Sequence, residues 1–195
     1  RMDAIMNTFS KPIILRNLIP EDLRRYLTIV SHIYLRSNNI EFENMDGAHS
    51  CSHHNPWTDG LSVAICQRLR EETKKNLEPT YGFLRVYNKY STLSEHTDRQ
   101  ACEYSVTAFI DSCGTAEWPI KVNGESYNLK PGEGILYKGI DWKHSRDEFL
   151  GDWHAQCFLH YVDMDGPYKD FKFDRRKILG QSPTNIYNIG TQGVI

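Results

Sequence analysis

Tyr104-Ser105-Val106-Thr107-Ala108-Phe109-Ile110 is the stretch on which the fold class turns. Its β-branched and aromatic residues suit a pleated, half-buried surface, so it reads as a strand. Tyr81-Gly82-Phe83-Leu84-Arg85-Val86-Tyr87 has the same texture upstream. Downstream, Pro119–Val122 and Glu125–Leu129 flank Asn123-Gly124, a pair that supplies the positive φ angles of a tight hairpin turn. Gly134–Tyr137 and Trp153–Val162 follow, set apart by turn residues such as Lys130-Pro131-Gly132-Glu133-Gly134. Short strands at this spacing predict an antiparallel sandwich or jelly roll rather than a parallel sheet. An aromatic content of 12%, with eleven tyrosines and four tryptophans, fits a β-protein with a pocket better than a helical bundle.

Toward the N-terminus the period changes. From Pro20 to about Leu35, apolar residues fall at Leu23, Tyr26, Leu27, Val30 and Ile33 or Tyr34, which is helical spacing. Pro20 suits the first turn, and Glu21 and Asp22 suit its positive end. A second helix is expected over Gly60–Lys75, with Leu61, Ala64, Ile65, Arg68 and Leu69 inward and Asp59 or Thr58 as its cap. Between the two, Ser37–Trp57 reads as a long polar loop. The segment after Asp163 has little periodicity and reads as a wrap or lid. The 195 residues suit one domain: helical support and loop over 1–79, a β core over 80–163, and a C-terminal extension over 164–195. The fold class is therefore mainly β with N-terminal helices (α+β).

Composition removes several functions. Hydrophobic residues at 39% and charged residues at 25% are ordinary for a globular chain. A net charge of −2 and the lack of a basic stripe argue against nucleic acid as a partner. No run of residues is long and apolar enough to span a membrane, and no signal peptide is expected. Five cysteines, irregularly spaced and without a CxxC pair, argue against a disulfide framework and for a reducing, cytoplasmic setting. Neither a GxSxG nucleophile elbow nor a glycine-rich phosphate loop is present.

The chemistry concentrates in His96-Thr97-Asp98 and in His144. Residues two apart in an extended segment share a face, so His96 and Asp98 can address one metal ion together. His144 follows several strands later, where the sheet folds back. Two imidazoles and one carboxylate on one face of a metal, with other positions open, are the ligand set of non-heme iron(II) oxygenases. A second possible distal ligand, His160, sits inside the apolar Phe158-Leu159-His160-Tyr161-Val162 and reads as a core histidine. Cys51, His53, His54 and Cys66 match no common zinc spacing.

With these residues in view, Leu84–Asp163 resembles the iron(II)- and 2-oxoglutarate-dependent oxygenase superfamily, and within it prolyl-hydroxylase-like proteins. The matching positions are Tyr87, His96-Thr97-Asp98, Lys130–Tyr137, His144-Ser145-Arg146 and Gln156–Tyr161. The resemblance implies a double-stranded β-helix (jelly roll, cupin-like) with a helical support layer. It also implies Fe(II), 2-oxoglutarate as cosubstrate, O2, and oxidation of an unactivated C–H bond. A peptide, protein or small-molecule substrate is expected, with hydroxylation of a peptidyl or free amino-acid side chain and with succinate and CO2 as coproducts. Such families place an Arg or Lys for the distal carboxylate of 2-oxoglutarate on the strand after the second metal histidine. Trp153–Phe158 offers only His154 and Gln156. Arg146 is the best substitute for that role, expected to share a face with His144 and offering a planar fork to a carboxylate. His154, Arg85 and Lys121 are the alternatives. Tyr87 resembles the family tyrosine that reaches the cosubstrate. The rival reading is a cupin-like binding protein, non-catalytic or differently metallated.

Overall fold

The computed structural model describes residues 9–36, 48–53, 55–114 and 116–180, and only the backbone at 34, 35 and 48–53. Among the described residues, ten strands form two antiparallel sheets. One has six strands: β1 (Ile13–Leu15), β8 (Gly134–Tyr137), β5 (Tyr104–Ser112), β10 (Trp153–Asp163), β3 (Leu77–Asn88) and β2 (Ala48–His53), in that spatial order. The other has four, in the order β4 (Leu93–His96), β9 (His144–Arg146), β6 (Ile120–Val122) and β7 (Glu125–Tyr127). Helices α1 (Glu21–Arg36) and α2 (Pro56–Thr73) cover the outer face of the larger sheet.

The period-2 alternation of the strands sorts side chains between two cores. Along β3, Leu84 and Val86 face the helices and pack with Leu27, Leu61, Ile65 and Leu69. Phe83 and Tyr87, the alternate residues, join Tyr81, Trp118, Phe149 and Phe158 in an aromatic cluster between the sheets. In β10, Cys157, Leu159 and Tyr161 belong to the helix side, while His154, Gln156, Phe158 and His160 point inward, toward the pockets between the sheets. The β6–β7 connection is the expected two-residue turn, with φ of 51° at Asn123 and 82° at Gly124.

Several expectations need correction. Residues 48–53, expected within a loop, form β2 and pair with the edge of β3; a polar strand on a sheet edge carries no hydrophobic alternation to announce it. The α1 period is right but its phase is off. Leu27, Val30 and Ser31 are buried, whereas Leu23, Tyr26 and Ile33 are exposed. Arg24 and Thr28 turn that face onto the sheet by bonding Asp111 Oδ2 at 2.9 and 3.1 Å. Helix α2 starts earlier than expected because Asn55 caps it, its Oδ1 accepting from Thr58 N at 2.9 Å, with Pro56 in the first turn. Its inward residues are Leu61, Ile65, Cys66 and Leu69; Ala64 is exposed and Arg68 half-buried. The helix stops at Lys74, which adopts φ 56°.

In the charged stretch Asp174–Lys177, Arg175 and Lys177 are exposed, but Asp174 and Arg176 turn inward. Arg176 is buried and makes a bidentate pair with buried Asp59 at 2.8 and 3.2 Å, while donating to Thr80 O at 3.0 Å. Asp174 holds Arg99 through two 2.8 Å bonds. The described part of the segment after β10, through residue 180, thus wraps back over α2 and β3, and among the described residues no helix is long and apolar enough to cross a membrane.

Candidate metal centre

Strand pairing brings the distant histidines together. His96 closes β4, His144 opens β9, and the two are direct partners in the register of the smaller sheet. Their rings lie 4.3 Å apart between centroids. Asp98, two residues past His96, is fixed by its backbone N–H, which donates to Gly139 O at 2.8 Å. Its Oδ1 lies 3.6 Å from His96 Nε2 and 3.4 Å from His144 Nε2. One ligand atom from each of the three residues falls within 4.8 Å of the others. Cis ligands about 2.1 Å from a metal are about 3 Å apart, so the spacing suits three positions on one face of an ion.

The tautomers suit it too. His96 Nδ1 meets Ser94 O at 2.7 Å, and His144 Nδ1 meets Trp142 O at 3.0 Å. A carbonyl only accepts, so each Nδ1 carries a proton, and each Nε2 is the nitrogen turned toward Asp98. Burial by itself would raise the Asp98 carboxyl, but the imidazoles of His144 and His96 outweigh it and hold the group well below the usual carboxylate range. The centre is sealed on one side and open on the other: the His144 side chain is 3% exposed and that of His96 40%.

The pocket at the triad is lined by Tyr81, Phe83, Arg85, Tyr87, Tyr137 and Phe158, among others. Tyr87 thus lines the same pocket as the three residues of the triad. Arg146 shares the inward face of β9 with His144, as the alternation requires, but lines the adjoining cavity of ≈ 290 Å³ with Phe109, Trp118, His154 and Gln156. It is 4% exposed. Its Nη1 donates to Trp118 O, and its guanidinium lies 4.7 Å from the Trp118 ring. With the Gln156 amide oxygen turned toward its donors, that oxygen accepts from Arg146 Nη2 and His154 Nε2, each at 2.7 Å. Among the described residues, neither Arg146 Nε nor His154 Nδ1 has a hydrogen-bond partner, and no carboxylate pairs with Arg146. Burial pulls the guanidinium pKa down to about 10 and drives His154 well below the ordinary histidine value.

The other candidates fall elsewhere. Lys121 is engaged with Asp147 at 2.6 Å. His160 is not in the triad, yet its Nδ1 lies 2.9 Å from Ser105 Oγ, which in turn is 3.0 Å from Asp98 Oδ2. Asp98, Cys102 and His160 form a second close group of potential ligands, but Cys102 Sγ faces the Tyr81 hydroxyl at 3.3 Å. Cys66 donates to Leu77 O inside the helix–sheet interface; the side chains of Cys51, His53 and His54 lie outside the described residues. Trp142 and Trp153 pack on the main core, and Trp118 is the tryptophan at the site.

Sequence reasoning missed Ser105, Gly139 and Trp118. A signal existed for the first, since Ser105 and Thr107 are polar residues alternating with Val106 and Ala108 along a strand. Gly139 leaves room for the carboxylate: a Cβ there would sit 2.5 Å from both Asp98 Oδ2 and Ser105 Oγ.

No family model matches the sequence, and no curated protein matches it. Solved structures do. A prolyl-4-hydroxylase from Pseudomonas putida superposes with a TM-score of 0.63 at 13% identity, covering 78% of this chain and 92% of that one. SnoK, a non-heme alpha ketoglutarate dependent carbocyclase from nogalamycin biosynthesis, gives 0.65 at 9% identity, with 78% and 79% covered. A Trichoplax adhaerens prolyl hydroxylase, in complex with a hypoxia inducible factor oxygen degradation domain peptide, gives 0.59 at 11%, with 79% and 84% covered. At these identities the likeness establishes the fold: this chain has the fold of the 2-oxoglutarate–Fe(II) oxygenases, prolyl hydroxylases among them.

Proposed function

We propose that this protein is an iron(II)- and 2-oxoglutarate-dependent dioxygenase that hydroxylates an unactivated C–H bond of a peptidyl or free amino-acid side chain, releasing succinate and CO2. The observation that carries the reading is the facial set of His96 Nε2, Asp98 Oδ1 and His144 Nε2, tautomers included. Two neutral imidazoles and a carboxylate suit iron(II) that must keep positions open. From β3 to β10 the chain crosses between the sheets at every connection except the β6–β7 hairpin, which supports a double-stranded β-helix within one domain.

When bound, iron with 2-oxoglutarate and O2 supplies the oxidising power. The chain's residues do the rest. The triad would hold the metal at the pocket floor, and Tyr81, Phe83 and Phe158 exclude water from the space above it. Arg146 would take the distal carboxylate of 2-oxoglutarate. A fully buried guanidinium facing only neutral groups lacks the counter-charge that such burial calls for, and a dicarboxylate brings one. Tyr87, which lines the metal pocket and interacts with this cation, would assist it. Arg85, which lines that pocket, is the alternative anchor. The substrate approaches through the side left open by His96.

The test is turnover. Wild type supplied with Fe(II), 2-oxoglutarate and O2 is expected to form succinate, with a peptide or amino acid in a mass-spectrometric panel gaining one oxygen atom. His96→Ala is expected to do neither. Succinate formation no greater than in His96→Ala, across the panel, would overturn the reading.

A further inference from the structure

We propose that Ser105 and His160 are positioning residues for the metal carboxylate, locking Asp98 so that Oδ1 alone faces the two imidazoles. The proposal rests on the triad being a metal centre and extends it to residues that touch neither metal nor cosubstrate.

The direction of the hydrogen bonds follows from proton counting. Ser105 Oγ lies 3.0 Å from Asp98 Oδ2 and 2.9 Å from His160 Nδ1. An ionised carboxylate only accepts, so the single hydroxyl proton of Ser105 goes to Asp98 Oδ2 at 3.0 Å in preference to the neutral Cys102 O at 3.4 Å. His160 Nδ1 must then carry a proton and donate it to Ser105 Oγ. The chain runs His160 Nδ1–H to Ser105 Oγ–H to Asp98 Oδ2.

The fold imposes this arrangement. Ser105 and His160 are direct cross-strand partners on β5 and β10, so their side chains emerge side by side on the inner face. The His160 ring packs against Tyr81 and Phe83, at 4.7 and 5.9 Å between centroids, and is 4% exposed. Asp98 is pinned from the other side through its backbone bond to Gly139 O. A serine and a histidine thus occupy two positions that the surrounding strands would otherwise fill with apolar residues.

The consequence is coordinative. An aspartate carboxylate has a broad torsional minimum about its last bond, and left alone it could turn to offer a metal both oxygens. With Oδ2 held by Ser105, Asp98 fills one coordination position. Three of the six positions of an octahedral ion then stay open, as a bidentate cosubstrate and O2 require.

The experiment uses the full chain freed of metal and Co(II) as probe, read by its visible ligand-field bands and by titration. Ser105→Ala and His160→Leu are each expected to weaken Co(II) by about 10–100-fold and to change the band pattern. Ser105→Thr and His160→Asn, which keep the hydroxyl and the donor, are expected to restore both readouts to near the wild-type result. A merely structural role would lower the melting temperature but leave affinity and spectrum unchanged in the folded protein. Because His160→Leu reads the chain from its far end, the test survives poor folding of a β5 variant. Wild-type affinity and spectrum in both disruptive variants would overturn the proposal alone. A wild type that binds no Co(II) would overturn it together with the metal-centre reading.

Discussion

Replacing Arg146 with methionine should separate stability from cosubstrate binding. In the folded chain the guanidinium is buried, and its pKa falls to about 10 from an ordinary 12.5. At about 1.4 kcal/mol per pH unit, that is roughly 3 kcal/mol against the charged form. Methionine of similar length removes this penalty. It also removes the bonds to Trp118 O and Gln156 and leaves those groups short of donors, a loss of about 1–3 kcal/mol each. The opposing effects nearly cancel, so the apo variant is expected within about 2 kcal/mol of wild type in urea unfolding followed by tryptophan fluorescence. Binding has no such compensation. Losing a desolvated charge pair removes about 2–5 kcal/mol, or about 30- to several-thousand-fold in affinity, read by anaerobic 2-oxoglutarate titration of the iron-loaded protein. An Arg146→Met variant with wild-type 2-oxoglutarate affinity would refute the assignment and move the anchor to Arg85. A variant that binds weakly only because it has lost more than about 4 kcal/mol of stability would refute the energetic argument.

Three further outcomes follow from the geometry. Asp59→Ala strands Arg176, whose side chain is 1% exposed, and should destabilise by about 3–5 kcal/mol in chemical denaturation; Asp59→Leu with Arg176→Met should recover most of that. Gly139→Ala drives a methyl into Asp98 Oδ2 and Ser105 Oγ, and should weaken metal by at least about tenfold while lowering stability by about 1–3 kcal/mol. The apo protein should also lose stability in mild acid. Burial lowers His160 from 6.5 to about 4, so between those pH values the unfolded chain binds a proton that the folded chain refuses. The folded state therefore loses ground as pH falls through this window, by roughly 3 kcal/mol in full. His160→Asn should reduce the slope of the urea midpoint against pH over the same range, buried His154 contributing the same sign, and an unchanged slope would show that other groups govern it.

The sequence was most informative where one residue's chemistry is tied to one strand face. His96, Asp98 and His144 are readable because an extended HxD segment and a returning strand permit few other geometries. The shared face of His144 and Arg146 follows from strand alternation alone. Long-range pairing was less legible. The partner of Ser105 is His160, across a strand pair whose register no local pattern encodes, and the partner of Asp59 is Arg176, far along a segment without periodicity. The α1 stripe gave the right period and the wrong phase, because Arg24 and Thr28, polar in any pattern, dock onto Asp111 on the sheet. Strand β2 escaped notice because an edge strand needs only backbone bonds from β3, not an apolar face.

The central claim is that His96, Asp98 and His144 hold iron(II) in a site that chelates 2-oxoglutarate. Anaerobic addition of Fe(II) and then 2-oxoglutarate to the purified chain addresses it most directly, since chelation of a 2-oxo acid to such iron produces a metal-to-ligand charge-transfer band in the visible. The account predicts that the band appears in wild type, saturates with 2-oxoglutarate, and is absent in His96→Ala and His144→Ala. A wild type with no band, or a band that survives both substitutions, would contradict it.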